Sequence, residues 1–92
     1  MTREEVKKIV DMHNSKIDNF ISNILPQLLE MAGVKVTFKD NGECEIPMND
    51  WFKAQGFITC MNFYKDAMEI LDMVRPFGFD VKINMQSNKL VY

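Results

Sequence analysis

The sequence predicts an α+β fold in which two long helices pack on two β-hairpins, in the order αββαββ. One plan occurs twice: an apolar-periodic segment ends near a glycine, Gly33 or Gly78, and two short alternating runs follow. The apolar positions that match after these glycines are Val36 and Phe38 in the first half and Val81 and Ile83 in the second. We therefore predict one domain over 1–92, with pseudo-repeats over 2–48 and 49–92 and a four-stranded antiparallel sheet.

The first helix is predicted by its start signal and by its periodicity. Thr2 and Glu5 form a capping box, and apolar residues then recur at steps of three and four. Pro26 lies within this apolar run and predicts a kink or a restart, because proline has no backbone N–H to donate. A helix this long carries more apolar surface than a 92-residue monomer easily covers. Either part of the apolar stripe contacts another chain, or Pro26 folds the helix back. We predict a homodimer, whose interface residues on this helix are Ile9, His13, Ile17 and Phe20.

His13 is the only histidine and lies in the middle of the apolar stripe. One interpretation makes it a catalytic base, a metal ligand or a pH sensor. The other makes it a packed, hydrogen-bonded histidine of a core or an interface. A histidine metal site would need ligands from elsewhere in the chain, so we expect the packed histidine.

The first hairpin is predicted around residues 40–42. A two-residue loop would pair Phe38 with Glu45 and place a charge on the apolar face. A three-residue loop pairs Phe38 with Cys44 and keeps the apolar side chains on one face. We predict the three-residue loop, in which Gly42 adopts a positive φ.

The second helix is predicted over about 49–74, with an apolar arc that covers half of its circumference. Gly56 lies within the buried arc, where we expect it to allow the close approach of a second backbone. Trp51 and Ile58 leave that arc on the polar side, one above the other. Either the first hairpin covers them partly, or they form an exposed patch that binds a partner.

The second hairpin is predicted with a two-residue turn over 87–88. That turn pairs Met85 with Leu90 and Ile83 with Tyr92, so that one face of the hairpin stays apolar.

The sequence offers no catalytic, phosphate-binding or metal-ligating motif, so we expect no enzyme, no cofactor and no metal site. Cys44 and Cys60 fall on predicted interior faces, where a thiol is free and poorly reactive. A charged start, two cysteines and no apolar run of membrane-spanning length predict a cytoplasmic protein without a membrane partner.

The lead functional hypothesis is a small non-enzymatic regulator or adaptor that binds another protein and acts as a homodimer. A phage or mobile-element inhibitor of a host defence enzyme, of the anti-CRISPR type, is one concrete form. A net charge of −2 makes nucleic acid an improbable partner. The alternative is nonetheless a nucleic-acid-binding module that uses the lysines of the hairpins, which are Lys35, Lys39, Lys82 and Lys89. A third possibility is an enzyme centred on His13.

Overall fold

The computed structural model describes residues 1–41 and 43–92 and confirms the α+β class. The α-helices are α1 (Arg3–Asn19), α2 (Leu25–Met31), α3 (Trp51–Cys60) and α4 (Phe63–Val74). The strands are β1 (Thr37–Phe38), β2 (Cys44–Glu45), β3 (Lys82–Ile83) and β4 (Leu90–Val91). A π-helical turn (Phe20–Ile24) and two 3₁₀ turns (Met48–Asp50 and Arg75–Phe77) complete the order.

The chain divides into two compact units. Unit 1 comprises Met1–Ile17 and Asn62–Tyr92, and unit 2 comprises Asp18–Met61. These units do not coincide with the sequence halves 2–48 and 49–92, because unit 1 brings the start of the chain together with its end.

The start of α1 confirms the Thr2 cap of the predicted capping box, but the Glu5 carboxylate binds the Thr2 hydroxyl and not the Thr2 backbone N–H. The backbone N–H of Glu5 donates to the Thr2 hydroxyl oxygen at 3.2 Å, and the Thr2 hydroxyl donates to the Glu5 carboxylate at 3.3 Å. The helix changes to a π-helical turn after Asn19, and α2 then restarts with Pro26 in its first turn. A proline is tolerated at the second position of α2, because the fixed φ of proline suits the first turn of a helix.

The end of α2 is fixed by Gly33, as the sequence predicts. Gly33 has a φ of +84°, and its N–H donates to the Glu30 carbonyl at 3.0 Å. The next N–H, of Val34, donates to the Leu29 carbonyl at 2.9 Å. This pair of bonds is a Schellman motif, and the two residues that usually make its apolar contact, Val34 and Leu29, are both buried.

The first hairpin has the predicted register, with Phe38 opposite Cys44. The backbone N–H of Lys39 also donates to the Glu43 carbonyl at 2.7 Å, which closes the ladder next to the turn. Gly42 lies outside the described residues, so its positive φ stays a prediction. The apolar face is less covered than expected, because Phe38 is 56% exposed.

The prediction of one continuous helix over 49–74 is wrong. Asn62 adopts the left-handed conformation with a φ of +56° and separates α3 from α4. Asparagine tolerates this region better than most residues. The close approach predicted at Gly56 is also wrong, because no atom lies within 4 Å of the position that a β-carbon would take there.

The second hairpin pairs two residues away from the predicted register, with Ile83 opposite Leu90. The turn is longer because the Asn84 side chain accepts the N–H of Gln86 at 2.9 Å, and Asn88 takes a φ of +59°. A shift of two residues keeps the same side chains on each face. Tyr92 therefore packs edge-on against Phe79, with ring centroids 6.2 Å apart, rather than opposite Ile83.

The hairpins form two separate two-stranded sheets in the described part of the chain, so the predicted four-stranded sheet is wrong. One physical reason lies at β4, where the Asn14 side chain binds the N–H and the C=O of Leu90. These are the groups that a further strand would need.

Each unit has its own buried side chains. In unit 1 the buried cluster joins α1, α4 and the second hairpin, and its members are Val6, Val10, Ala67, Leu71, Val74, Val81 and Leu90. In unit 2, α2 packs on α3. The buried apolar residues of this unit are Phe20, Leu25, Pro26, Leu29, Val34 and Ala54.

Candidate functional site

A group of exposed large apolar side chains belongs to unit 2, at the start of α3. Met48 is 86% exposed, Phe52 is 89% exposed and Trp51 is 48% exposed. Met48 lies in the 3₁₀ turn that leads into α3, three residues before Trp51 and four before Phe52. We name these three residues the Met48–Trp51–Phe52 surface.

Local backbone geometry positions this surface. Pro47 is extended, with φ −54° and ψ 138°, and its carbonyl accepts the N–H of Asp50 at 2.9 Å. The 3₁₀ turn that begins at Met48 then continues directly into α3. One turn into α3, Ala54 is fully buried, which fixes the inner side of the helix. Phe52 lies on the opposite side of the helix from Ala54, where it is exposed to solvent.

The structure separates the two predicted partner-binding residues. Trp51 is half exposed, whereas Ile58 is only partly accessible, because it lies one turn beyond Ala54 on the inner side of α3. The sequence reasoning missed Met48 and Phe52. A signal was available, since Ala54 and Ile58 lie four residues apart on the inner side of α3, a spacing that leaves Phe52 outside.

The structure also locates the predicted dimer-interface residues. His13, Ile17 and Phe20 are 4%, 1% and 2% exposed within the single chain, and Ile9 is half-buried. Three of the four side chains are therefore covered without a second copy. A dimer that used them would first have to uncover them.

His13 makes the packed, hydrogen-bonded arrangement that the sequence favours. Its Nε2–H donates to the carbonyl of Asn88 at 2.8 Å, and because a carbonyl only accepts, Nε2 carries the proton. Next to it, the Asn14 amide donates to the Leu90 carbonyl at 2.9 Å and accepts the Leu90 N–H at 2.8 Å. Two consecutive residues of α1 thus hold the last hairpin, and we call this arrangement the α1–hairpin clamp.

The candidate metal ligands and the two thiols lie apart in the described residues. Within 1–41 and 43–92, no three His, Cys, Asp or Glu side chains lie close enough together to hold a metal ion. Both cysteines are free. Cys44 is half-buried, but Cys60 is exposed, so its predicted interior position is wrong. The physical reason is the orientation set by Ala54, which turns Cys60 outwards.

The hairpin lysines are divided between the two units. Lys35 and Lys39 belong to unit 2, and Lys82 and Lys89 belong to unit 1. Lys39 is paired with Glu45 at 3.1 Å. A hydrogen bond to Glu45 and its negative charge raise the pKa of Lys39 above the ordinary value. This local pairing neutralises a charge that phosphate binding would need.

Comparisons of the chain with models of known protein families, with curated proteins and with solved structures give no match. No helix in the described part of the chain has both the length and the apolar character needed to cross a membrane.

Proposed function

We propose that this protein is a non-enzymatic regulator or adaptor that acts by binding another protein through the Met48–Trp51–Phe52 surface. The observation that supports the proposal is the exposure of three large apolar side chains on consecutive helical turns. Tryptophan is among the residues that most often dominate interface energies, and methionine adapts its shape to a partner.

The apolar area of the Met48–Trp51–Phe52 surface limits the binding free energy that it can provide alone. Full burial of a large apolar side chain contributes about 1.5–3 kcal/mol, so Met48 and Phe52 together offer roughly 3–6 kcal/mol. Micromolar affinity needs about 8 kcal/mol after the costs of association. The interface must therefore include Trp51 and residues around this surface.

The test is capture of partners from host lysate by the full chain, followed by mass spectrometry. We expect Trp51→Ala and Phe52→Ala to lose the captured protein while the melting temperature changes little. The matched control is Met85→Ala, since Met85 is 67% exposed in unit 1 and lies outside this surface. Equal capture by Phe52→Ala and by the control would contradict the proposal.

We further propose that the protein acts as a homodimer. The support is the apolar surface that the single chain leaves exposed. Sedimentation equilibrium should give twice the chain mass of 10.8 kDa at high micromolar concentration. A single species at 10.8 kDa would contradict the dimer and leave the partner proposal standing.

A phage or mobile-element inhibitor of a host defence enzyme, of the anti-CRISPR type, is one concrete form of such a regulator. The small size of the chain supports this form, and a surface that binds one target protein suits it. The same lysate experiment tests it, because the captured protein would then be a defence nuclease or a subunit of its complex.

A further inference from the structure

Unit 1 has an apolar surface that the proposal above does not use. A groove of about 400 Å³ lies along α1 and α4. Its apolar lining comes from both helices and consists of Ile9, Met12, Ile70 and Met73. The methionines are well exposed, at 59% for Met12 and 42% for Met73, and the two isoleucines are half-buried. An apolar floor with methionines at its rim is a type of surface that adapts to helical partners.

The charges of the groove point to the chemistry of its occupant. Asp66 and Glu69 line the α4 side, and Lys16 lines the α1 side. Neither carboxylate forms an ion pair in the part of the chain that the structure describes. Two unpaired carboxylates against one ammonium leave the groove net negative, so a positively charged occupant suits it.

The length of the groove fits a short helix. Its lining runs from Ile9 to Lys16 on α1 and from Asp66 to Met73 on α4, which is about 10 Å along each helix axis. An amphipathic helix that binds in a groove uses apolar anchors at positions i, i+3 or i+4, and i+7, and these span the same distance.

We infer that the α1–α4 groove binds a basic amphipathic helix of a partner protein. The apolar anchors of that helix occupy the space between Met12 and Met73, and its lysines or arginines face Asp66 and Glu69. The inference does not depend on the Met48–Trp51–Phe52 surface, which belongs to unit 2.

The test uses a synthetic amphipathic helix of leucine and lysine, about 15 residues long, which is the length at which such a helix begins to be stable in water. Its binding to the full chain is measured by fluorescence anisotropy, and a leucine–glutamate peptide of the same pattern serves as its counterpart. We expect the lysine peptide to bind and the glutamate peptide not to bind. Equal binding of both peptides, or binding of neither, would overturn the inference.

Variants locate the binding site and separate the contribution of the charges from that of the apolar lining. The double substitution Asp66→Asn and Glu69→Gln should weaken binding roughly two- to thirtyfold, the range expected for two exposed charge pairs. Asp72→Asn is the matched control, because Asp72 is exposed on α4 but does not line the groove. Likewise Met12→Gln should weaken binding, whereas Met85→Gln should not. Loss of affinity equal to that of each control would show that the peptide binds elsewhere.

A spectroscopic readout distinguishes this groove from the surface on α3. With ¹³C-labelled methionine methyl groups, the lysine peptide should shift the signals of Met12 and Met73. The signals of Met31, Met48 and Met85 should stay unchanged. Shifts at Met48 with none at Met12 or Met73 would overturn the groove and leave the α3 surface as the binding site.

Discussion

Substitution of Asn14 tests whether the α1–hairpin clamp stabilises the fold. The Asn84 N–H donates to Lys89, so in the antiparallel ladder the next pair, Ile83 and Leu90, exchanges no hydrogen bonds. The N–H and the C=O of Leu90 therefore point away from β3, and the Asn14 amide binds both of them. One side chain thus takes the place of a neighbouring strand.

The expected loss in Asn14→Ala follows from these two bonds. Removal of a hydrogen bond costs about 1 kcal/mol, and more where the partner stays buried without water. Leu90 is only 3% exposed, so we expect a loss of about 2–4 kcal/mol in the free energy of unfolding. For a chain of this size, that loss lowers the melting temperature by at least about 8 °C.

The assay combines thermal and urea unfolding with hydrogen exchange of the Leu90 amide. Ser15→Ala is the matched control, because Ser15 lies exposed within the same helix and its helix propensity is close to that of asparagine. We expect the control to change stability by less than about 0.5 kcal/mol. Equal stability of the two variants, with unchanged protection of the Leu90 amide, would refute the role of the clamp.

Asn14→Asp adds a pH dependence to the same test. An ionised carboxylate accepts the Leu90 N–H but repels the Leu90 carbonyl, whereas a protonated carboxyl group can donate to it. The folded-state pKa of the substituted side chain should therefore lie above the unfolded value of about 3.9. The variant is then weakest at neutral pH and approaches the parent protein as the pH falls through the folded-state pKa. A constant difference from the parent between pH 3 and pH 7 would contradict this.

Three further outcomes are expected. Gly56→Ala should raise the free energy of unfolding, measured in urea, by about 0.5–1 kcal/mol, because Gly56 is exposed within α3 and a β-carbon there meets no other atom. Gly33→Ala should lower the free energy of unfolding, because Gly33 has a φ of +84°. Asn62→Gly should change the free energy of unfolding by less than about 0.5 kcal/mol, whereas Asn62→Ala should lower it by about 1 kcal/mol, because only alanine is strained in the left-handed conformation. Equal stability of the two variants would argue against the break between α3 and α4. Ellman's reagent should label Cys60 in the native protein faster than the half-buried Cys44, and the reverse order would contradict the orientation of α3.

Features with local chemical causes could be predicted from the sequence. The Thr2 cap, the helix restart at Pro26 and the Schellman end at Gly33 each depend on residues within about one turn of each other. The register of the first hairpin also followed from alternation alone, because a shift by one residue would have exposed the opposite face.

Features that depend on side chains far apart in the chain could not be predicted. The Asn14–Leu90 bonds join residues 76 positions apart, and no local pattern marks Asn14 as a strand substitute. Without that contact, a free edge at β4 made the four-stranded sheet a reasonable prediction. The break at Asn62 was missed for a similar reason, because apolar residues continue on both sides of it and the periodicity gives no warning.

The homodimer hypothesis began from an excess of apolar surface on the first helix. In the structure, exposed apolar surface lies elsewhere as well. The His13 stripe is covered within the chain, since Ile17 and Phe20 are almost fully buried and His13 binds the last hairpin. Met48 and Phe52, in contrast, are almost fully exposed. A dimer that forms to cover apolar surface should therefore dissociate in Phe52→Ala and persist in Ile9→Ala. Sedimentation of these two variants decides whether the dimer interface is the His13 stripe or the Met48–Trp51–Phe52 surface.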